Sequence, residues 1–151
     1  MAIEELELGP VDVIVIGYPP NAPRTGEAIP LFLDLVERGL IRVLDVLAVQ
    51  KDAEGNVSGL EITDFDGDGE NDLLLFDGAR SGLLGEEDAA NAGEALEPGS
   101  MAVLICIENR WAAPFATAVR RNGGQLLAFE RVAAQDLLDA AEALDAADAA
   151  V

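Results

Sequence analysis

Val11-Asp12-Val13-Ile14-Val15-Ile16-Gly17 is short, apolar and rich in β-branched residues, the pattern of a strand buried in a sheet. Tyr18-Pro19-Pro20-Asn21-Ala22-Pro23 ends it, because consecutive prolines cannot continue a hydrogen-bonded ladder. A helix then fits Glu27 to Arg38. Thr25 stands where a cap is needed, Pro30 lies near the first turn, where it is tolerated, and Gly39 stops the helix. Ile29, Phe32, Leu33 and Val36 share one face at helical spacing, while Leu31 and Leu35 fall on another side, which predicts burial wider than that of a surface helix. Ile41 to Val49 reads as a second strand, so the chain opens strand, helix, strand.

Further along, Lys51-Asp52-Ala53-Glu54-Gly55-Asn56 is a turn and Val57 to Thr63 returns as a hairpin partner. An acidic stretch, Asp64 to Asp72, leads through Leu73-Leu74-Leu75-Phe76 into a glycine-rich connector from Asp77 to Gly85. A helix from Glu86 to Leu96 is closed by Pro98-Gly99, and Met101 to Glu108 is another buried strand. Asn109 is placed to cap the next helix, with Trp111 and Pro114 near its first turn and Gly123-Gly124 at its end. Gln125 to Val132 reads as the last strand. From Ala134 to about Leu144 a terminal helix puts Leu137, Leu138, Ala141 and Leu144 on one face, and the tail beyond it has little to bury and is expected to fray.

The organisation repeats: Val11–Val49 and Met101–Val132 both run strand, helix, strand. Two such right-handed units side by side predict an α/β (α+β) domain of ferredoxin-like plan, an antiparallel sheet with its helices on one face, plus an extra strand and extra helices. A flavodoxin-like parallel sheet is the rival, and the hairpin across Gly55-Asn56 argues against it. The chain divides as one domain over 1–151: a first βαβ unit and hairpin strand (9–63), an acidic and glycine-rich connector (64–85), a helix and second βαβ unit (86–132), and a terminal helix with its tail (133–151).

At 151 residues, half of them apolar, the chain has material for one real core. Its formal charge is −20, from 29 acidic and 9 basic residues, with Lys51 the only lysine. Nucleic acid and anionic membrane surfaces are therefore disfavoured partners, since both need cations to meet them. A genome or a salt-rich cytoplasm that favours Asp, Glu, Ala and Arg is the simpler source of the charge. No apolar run approaches the roughly 20 residues of a membrane span. The acidic Ile3-Glu4-Glu5-Leu6-Glu7 is unlike an export signal, so a cytoplasmic location is expected. Histidine is absent, which removes Ser-His-Asp and Cys-His catalysis within one chain type. Cys106, the single cysteine, sits inside an apolar run and reads as a buried thiol.

One stretch carries chemistry. Asp64-Phe65-Asp66-Gly67-Asp68-Gly69-Glu70-Asn71-Asp72 puts carboxylates at relative positions 1, 3, 5 and 9 and glycine at 6, the spacing with which a loop wraps calcium. The candidate ligands are Asp64, Asp66, Asp68, Glu70 and Asp72. The stretch resembles the calcium loop of integrin-type propeller repeats, but it occurs once here. An EF-hand would need Glu at position 12, where Leu75 stands, so any Ca²⁺ site would be weak; an acidic turn holding no ion is the competing reading. Gly78 to Gly85 lacks the lysine of a phosphate loop and reads as a connector. Arg120-Arg121 complements a helix dipole, Trp111 reads as a helix-to-sheet anchor, and Tyr18-Pro19-Pro20 is either a rigid turn or a pocket lining.

Several short stretches together carry a resemblance: Gly9-Pro10-Val11-Asp12, Leu35-Val36-Glu37-Arg38-Gly39, Leu96-Glu97-Pro98-Gly99-Ser100, Trp111-Ala112-Ala113-Pro114 and Gly123-Gly124. They resemble a family of small acidic actinobacterial proteins known only as a domain of unknown function. The C-terminal half is similar to a broader family of small stress-associated bacterial proteins. The resemblance implies a fold and no catalytic residue. The expectation for function is a non-catalytic binding or assembly domain that forms at least a dimer through its sheet. The alternatives are a calcium-regulated protein and an enzyme working with carboxylates and arginine alone. A small-molecule ligand is not specified by any motif.

Overall fold

The computed structural model describes residues 8–59, 82–128 and 130–149. Its elements are β1 (Val11–Tyr18), α1 (Ala28–Glu37), β2 (Arg42–Lys51), β3 (Val57–Gly59), α2 (Glu86–Ala95), β4 (Met101–Glu108), a 3-10 turn (Arg110–Ala112), α3 (Ala113–Arg121) and α4 (Ala134–Ala149). The strands form one antiparallel sheet in the order β1-β4-β2-β3. β4 is the most apolar strand and takes an inner place, pairing along its length with β1 on one side and β2 on the other. The order β-α-β-β-α-β is the one expected of two interlocked split units. They close as β1-α1-β2 and β3-α2-β4.

The second unit expected from the sequence, Met101–Val132, does not form. Residues 125–128 and 130–132 are not in a strand, and Leu127 is 89% exposed. Apolar β-type composition states that a segment would fit a pleated surface, and the sheet supplies it no neighbour here.

The helices also depart from the one-face expectation. Phe32 and Val36 of α1 pack on Ile105 and Ile107 of β4, whereas Ala89, Ala92 and Leu96 on and just beyond α2 pack on Ala102, Leu104 and Cys106. Successive strand residues point to opposite faces, so α1 and α2 lie on opposite sides of the sheet. The 26 residues between β3 and α2 are enough chain to reach either side. α1 buries no residue fully and leaves Leu31 69% exposed, so the expected wide burial is also corrected: one face lies on the sheet, and among the described residues no element packs on its far side.

Local chemistry sets the ends of the elements. After β2, Asp52 Oδ1 accepts from the backbone N–H of Glu54 and Asn56 at 3.0 and 2.8 Å, and Gly55 supplies the positive φ that the turn into β3 requires. The Asn56 bond leads the causes that hold the Asp52 carboxyl below its ordinary pKa. Lys51 donates to the carbonyls of Gly93 and Leu96 at 3.2 and 3.1 Å, so the only lysine closes the C-terminus of α2. Gly93 permits close packing of α2 on β3, since a Cβ there would lie 2.6 Å from a methyl of Val57.

Candidate functional site

The densest polar cluster lies at the end of the sheet where β1 begins and β4 ends. Glu108 is buried, and its carboxylate accepts from Gly9 N–H and from Arg42 Nε, both at 2.9 Å. Asn109 was expected to cap the following helix. Instead its amide donates to the Pro10 carbonyl at 3.0 Å and to Asp12 Oδ2 at 2.8 Å, because the chain turns back on β1 before α3 starts. Its own N–H also reaches Pro10 O, at 2.8 Å. Arg120, in the last turn of α3, donates to the Leu8 carbonyl and to Thr117 Oγ1. Every group in this cluster is satisfied by a neighbour in the fold, so its chemistry is that of a clasp joining the N-terminal segment to three elements.

Trp111 does not anchor α3. It is 57% exposed, its indole N–H donating to Asn109 Oδ1 at 3.4 Å, while Ala113, Ala116 and Thr117 supply the buried side of the helix. Small side chains form the buried side of α3, and the large ring is left at the margin.

On the α2 side of the sheet, a bulge in β2 between Val43 and Asp45 turns Leu44 and Asp45 toward the same face. Strict alternation would have separated them, so no local pattern marks Asp45 as buried. Its carboxylate accepts from Leu84 N–H at 2.9 Å and from Val46 N–H at 3.0 Å, tying the approach to α2 onto the sheet. Opposite Asp45 lies Cys106, buried as expected. Burial first, then the negative charges of Asp45, Asp12 and Asp88, push its thiol pKa above the ordinary value, which keeps it protonated and unreactive at neutral pH.

The calcium-spaced residues Asp64, Asp66, Asp68, Glu70 and Asp72 lie outside the described residues. Among the described residues no group of three or more His, Cys, Asp or Glu side chains gathers as a metal site would. Clefts in the described parts include two worth locating. One, of about 300 Å³, lies between Tyr18 and the start of α1, with Pro23 and Ile29 in its lining. The other, of about 350 Å³, runs between Leu8, Pro10, Ala116, Arg120 and Leu127. The polar residues of the first are Tyr18, Thr25 and Glu27, and the charged residue of the second is Arg120. No helix among the described residues is long and apolar enough to cross a membrane.

The most distinctive surface is apolar. Among the described residues β1 is an edge strand, paired with β4. On the α2 side its Val11, Val13 and Val15 are 51, 51 and 56% exposed, because α2 covers β2, β4 and β3 and stops short of β1. α4 is a second uncovered element: none of its residues is buried, and Leu137, Leu138 and Leu144 all face outward. It is helical through Ala149, and its Ala-rich composition favours the helix even without a packed face.

Such an arrangement defines a mixed α/β domain: a four-stranded antiparallel sheet, four α-helices among the described residues, and a polar clasp at one end of the sheet. The chain belongs to a family of unknown function, DUF6325, whose profile matches residues 7–147. No curated protein and no solved structure matches it.

Proposed function

We propose that this protein is a non-catalytic, self-associating assembly domain whose interface is the β1 flank of the sheet. The observation that carries the reading is β1 itself, an eight-residue strand at the sheet's edge among the described residues, with three half-exposed valines on one face and no blunting lysine, proline or bulge within it. Soluble proteins protect such edges or use them. The absence of histidine and the raised pKa of the one thiol support a role without catalysis. The large negative charge opposes association at long range, but at physiological ionic strength charges are screened beyond about 8 Å, and apolar contact acts within that distance. A cytoplasmic setting belongs to the same proposal, as does the absence of nucleic-acid and membrane partners. The ferredoxin-like plan enters it only as the shared βαββαβ order, a sheet with one edge left open for a neighbour.

Thermal melting across a hundredfold range of protein concentration tests the reading. A domain stabilised by its own copies melts at a temperature that rises with concentration. A melting temperature independent of concentration would count against it.

A further inference from the structure

We infer that β1 of one copy pairs antiparallel with β1 of a second copy, joining the two sheets into one across a twofold axis at Ile14. This rests on the self-association reading above and names the contact that produces it. The phase of the β1–β4 ladder selects the occupant. Asn109 N–H donates to the Pro10 carbonyl, in step with the register that sets Val11 opposite Glu108. In an antiparallel pair, residues that exchange hydrogen bonds alternate with residues that do not. Asp12, Ile14, Ile16 and Tyr18 therefore turn their backbone groups toward β4, while Val11, Val13, Val15 and Gly17 turn theirs to the open side. The exposed leucines of α1 and α4 sit on helices whose backbone groups are already paired, so they offer these donors and acceptors nothing; a strand with a free edge does. Among the described residues the other sheet edge is β3, three residues long, whereas a second β1 offers eight.

The same phase fixes the register. With Ile14 on the axis, Val13 lies opposite Val15 and Val11 opposite Gly17, so every outward N–H of β1 meets an outward carbonyl. Centring the pair on Val13 would set Gly17 opposite Gly9, whose N–H is held by Glu108 at 2.9 Å. Centring it on Val15 would set Val11 opposite Pro19, which has no N–H. A shift by an odd number of residues would set outward groups against groups already bonded to β4. Charge agrees with this choice. Asp12 is the charged residue of β1, and it falls opposite Ile16, about 13 Å along the strand from its own copy, beyond the roughly 8 Å over which charges act at physiological ionic strength. On the α2 side, Val13 and Val15 of the two copies become cross-strand neighbours. The contact uses the same patch on both chains and closes at two.

Amide hydrogen exchange of the full-length wild type, read residue by residue beside the sedimenting mass of the same samples, tests the pairing. In the dimer the amides of Val11, Val13, Val15 and Gly17 are expected to be protected at least tenfold over the dissociated chain, while Ile14 and Ile16 stay protected in both, held by β4. Protection of the four in a chain that sediments as a monomer would overturn the inference, because a segment of the same chain would then cover the edge. Dimers in which the four exchange freely would overturn the pairing and leave self-association standing; monomers at tens of micromolar would remove both. Register is read by oxidation in a Cys106→Ala background, since Cys106 lies opposite Val13 on β4. Isotope-labelled Val13→Cys chains are mixed with unlabelled Val15→Cys chains; each valine is more than half exposed, so the single chains stay folded. Facing residues of a hydrogen-bonded pair have Cα atoms about 5.5 Å apart, within reach of a disulfide. A disulfide between one labelled and one unlabelled chain is expected as the main product. Disulfides mainly between like chains, or none, would overturn the inference.

Discussion

Glu108→Ala is the substitution that most directly probes how the fold is held at its polar end. The wild-type carboxylate is buried and accepts from Gly9 N–H and Arg42 Nε. Removing it leaves the Gly9 N–H without a partner in a buried position, which costs about 1–3 kcal/mol. One methylene, Cγ, is lost with the carboxylate, worth about 0.8 kcal/mol. Loss of the ion pair adds little, because the Arg42 side chain is 51% exposed and water replaces the carboxylate, while the cost of burying Glu108's charge disappears. The sum is about 2–4 kcal/mol, a fall in melting temperature of roughly 5–15 °C for a chain of this size. Glu108→Gln keeps the volume and one acceptor, so it should cost about half as much. Urea unfolding followed by circular dichroism, at one fixed protein concentration, measures both. A Glu108→Ala loss within about 0.5 kcal/mol, the range of ordinary surface changes, would refute the clasp.

Three further predictions concern separate parts of the molecule. Gly93→Ala should destabilise despite alanine's higher helix propensity, because its Cβ meets the methyls of Val57, and the loss should shrink in a Val57→Ala background, where only the Cβ at 3.2 Å remains; a double-mutant cycle without coupling would contradict this. Cys106 should resist alkylation in the native state at pH 8 and react once unfolded. Because its folded pKa is raised, stability should fall as pH rises past the unfolded thiol's value of 9.0 toward the folded one, and the Cys106→Ala variant should lack that part of the fall, as unfolding titrations of both would reveal. If the Asp64–Asp72 spacing holds a cation, millimolar calcium should raise the melting temperature more than magnesium or sodium chloride of equal ionic strength does. Asp64→Asn with Asp68→Asn should abolish the response; an equal response in both proteins would make the stretch only an acidic turn.

The strands and the first turn were legible because composition and punctuation agreed there. Val11–Tyr18 and Met101–Glu108 are continuous apolar runs bounded by proline, glycine or asparagine, and the structure places both where the patterning put them. What escaped the sequence depended on partners distant in the chain. Gln125 to Val132 has strand composition, and composition is silent on whether a sheet edge is available. Asp45 is buried because one inserted residue reverses the alternation of β2, and no local signal marks a bulge. Trp111 invites the role of anchor by its size, yet small side chains near it form the buried side of α3. The side of the sheet taken by α2 follows a 26-residue connection whose length fixes no direction. The candidate site divides in the same way. The buried thiol was readable from its apolar neighbours, whereas the Glu108 clasp joins residues nearly a hundred positions apart, and pairwise proximity of that kind has no signature in a single sequence.

The central claim is that the β1 flank joins one copy of this chain to another. Sedimentation equilibrium at tens of micromolar, on the wild type beside Val13→Lys with Val15→Lys, tests it most directly. Both valines are more than half exposed, so lysine there leaves the single chain folded while placing charge in the interface. The account predicts a wild-type mass of at least twice the chain's 15.8 kDa and a variant mass close to that of one chain. A wild type that sediments as a monomer, or a variant that associates as the wild type does, would contradict it.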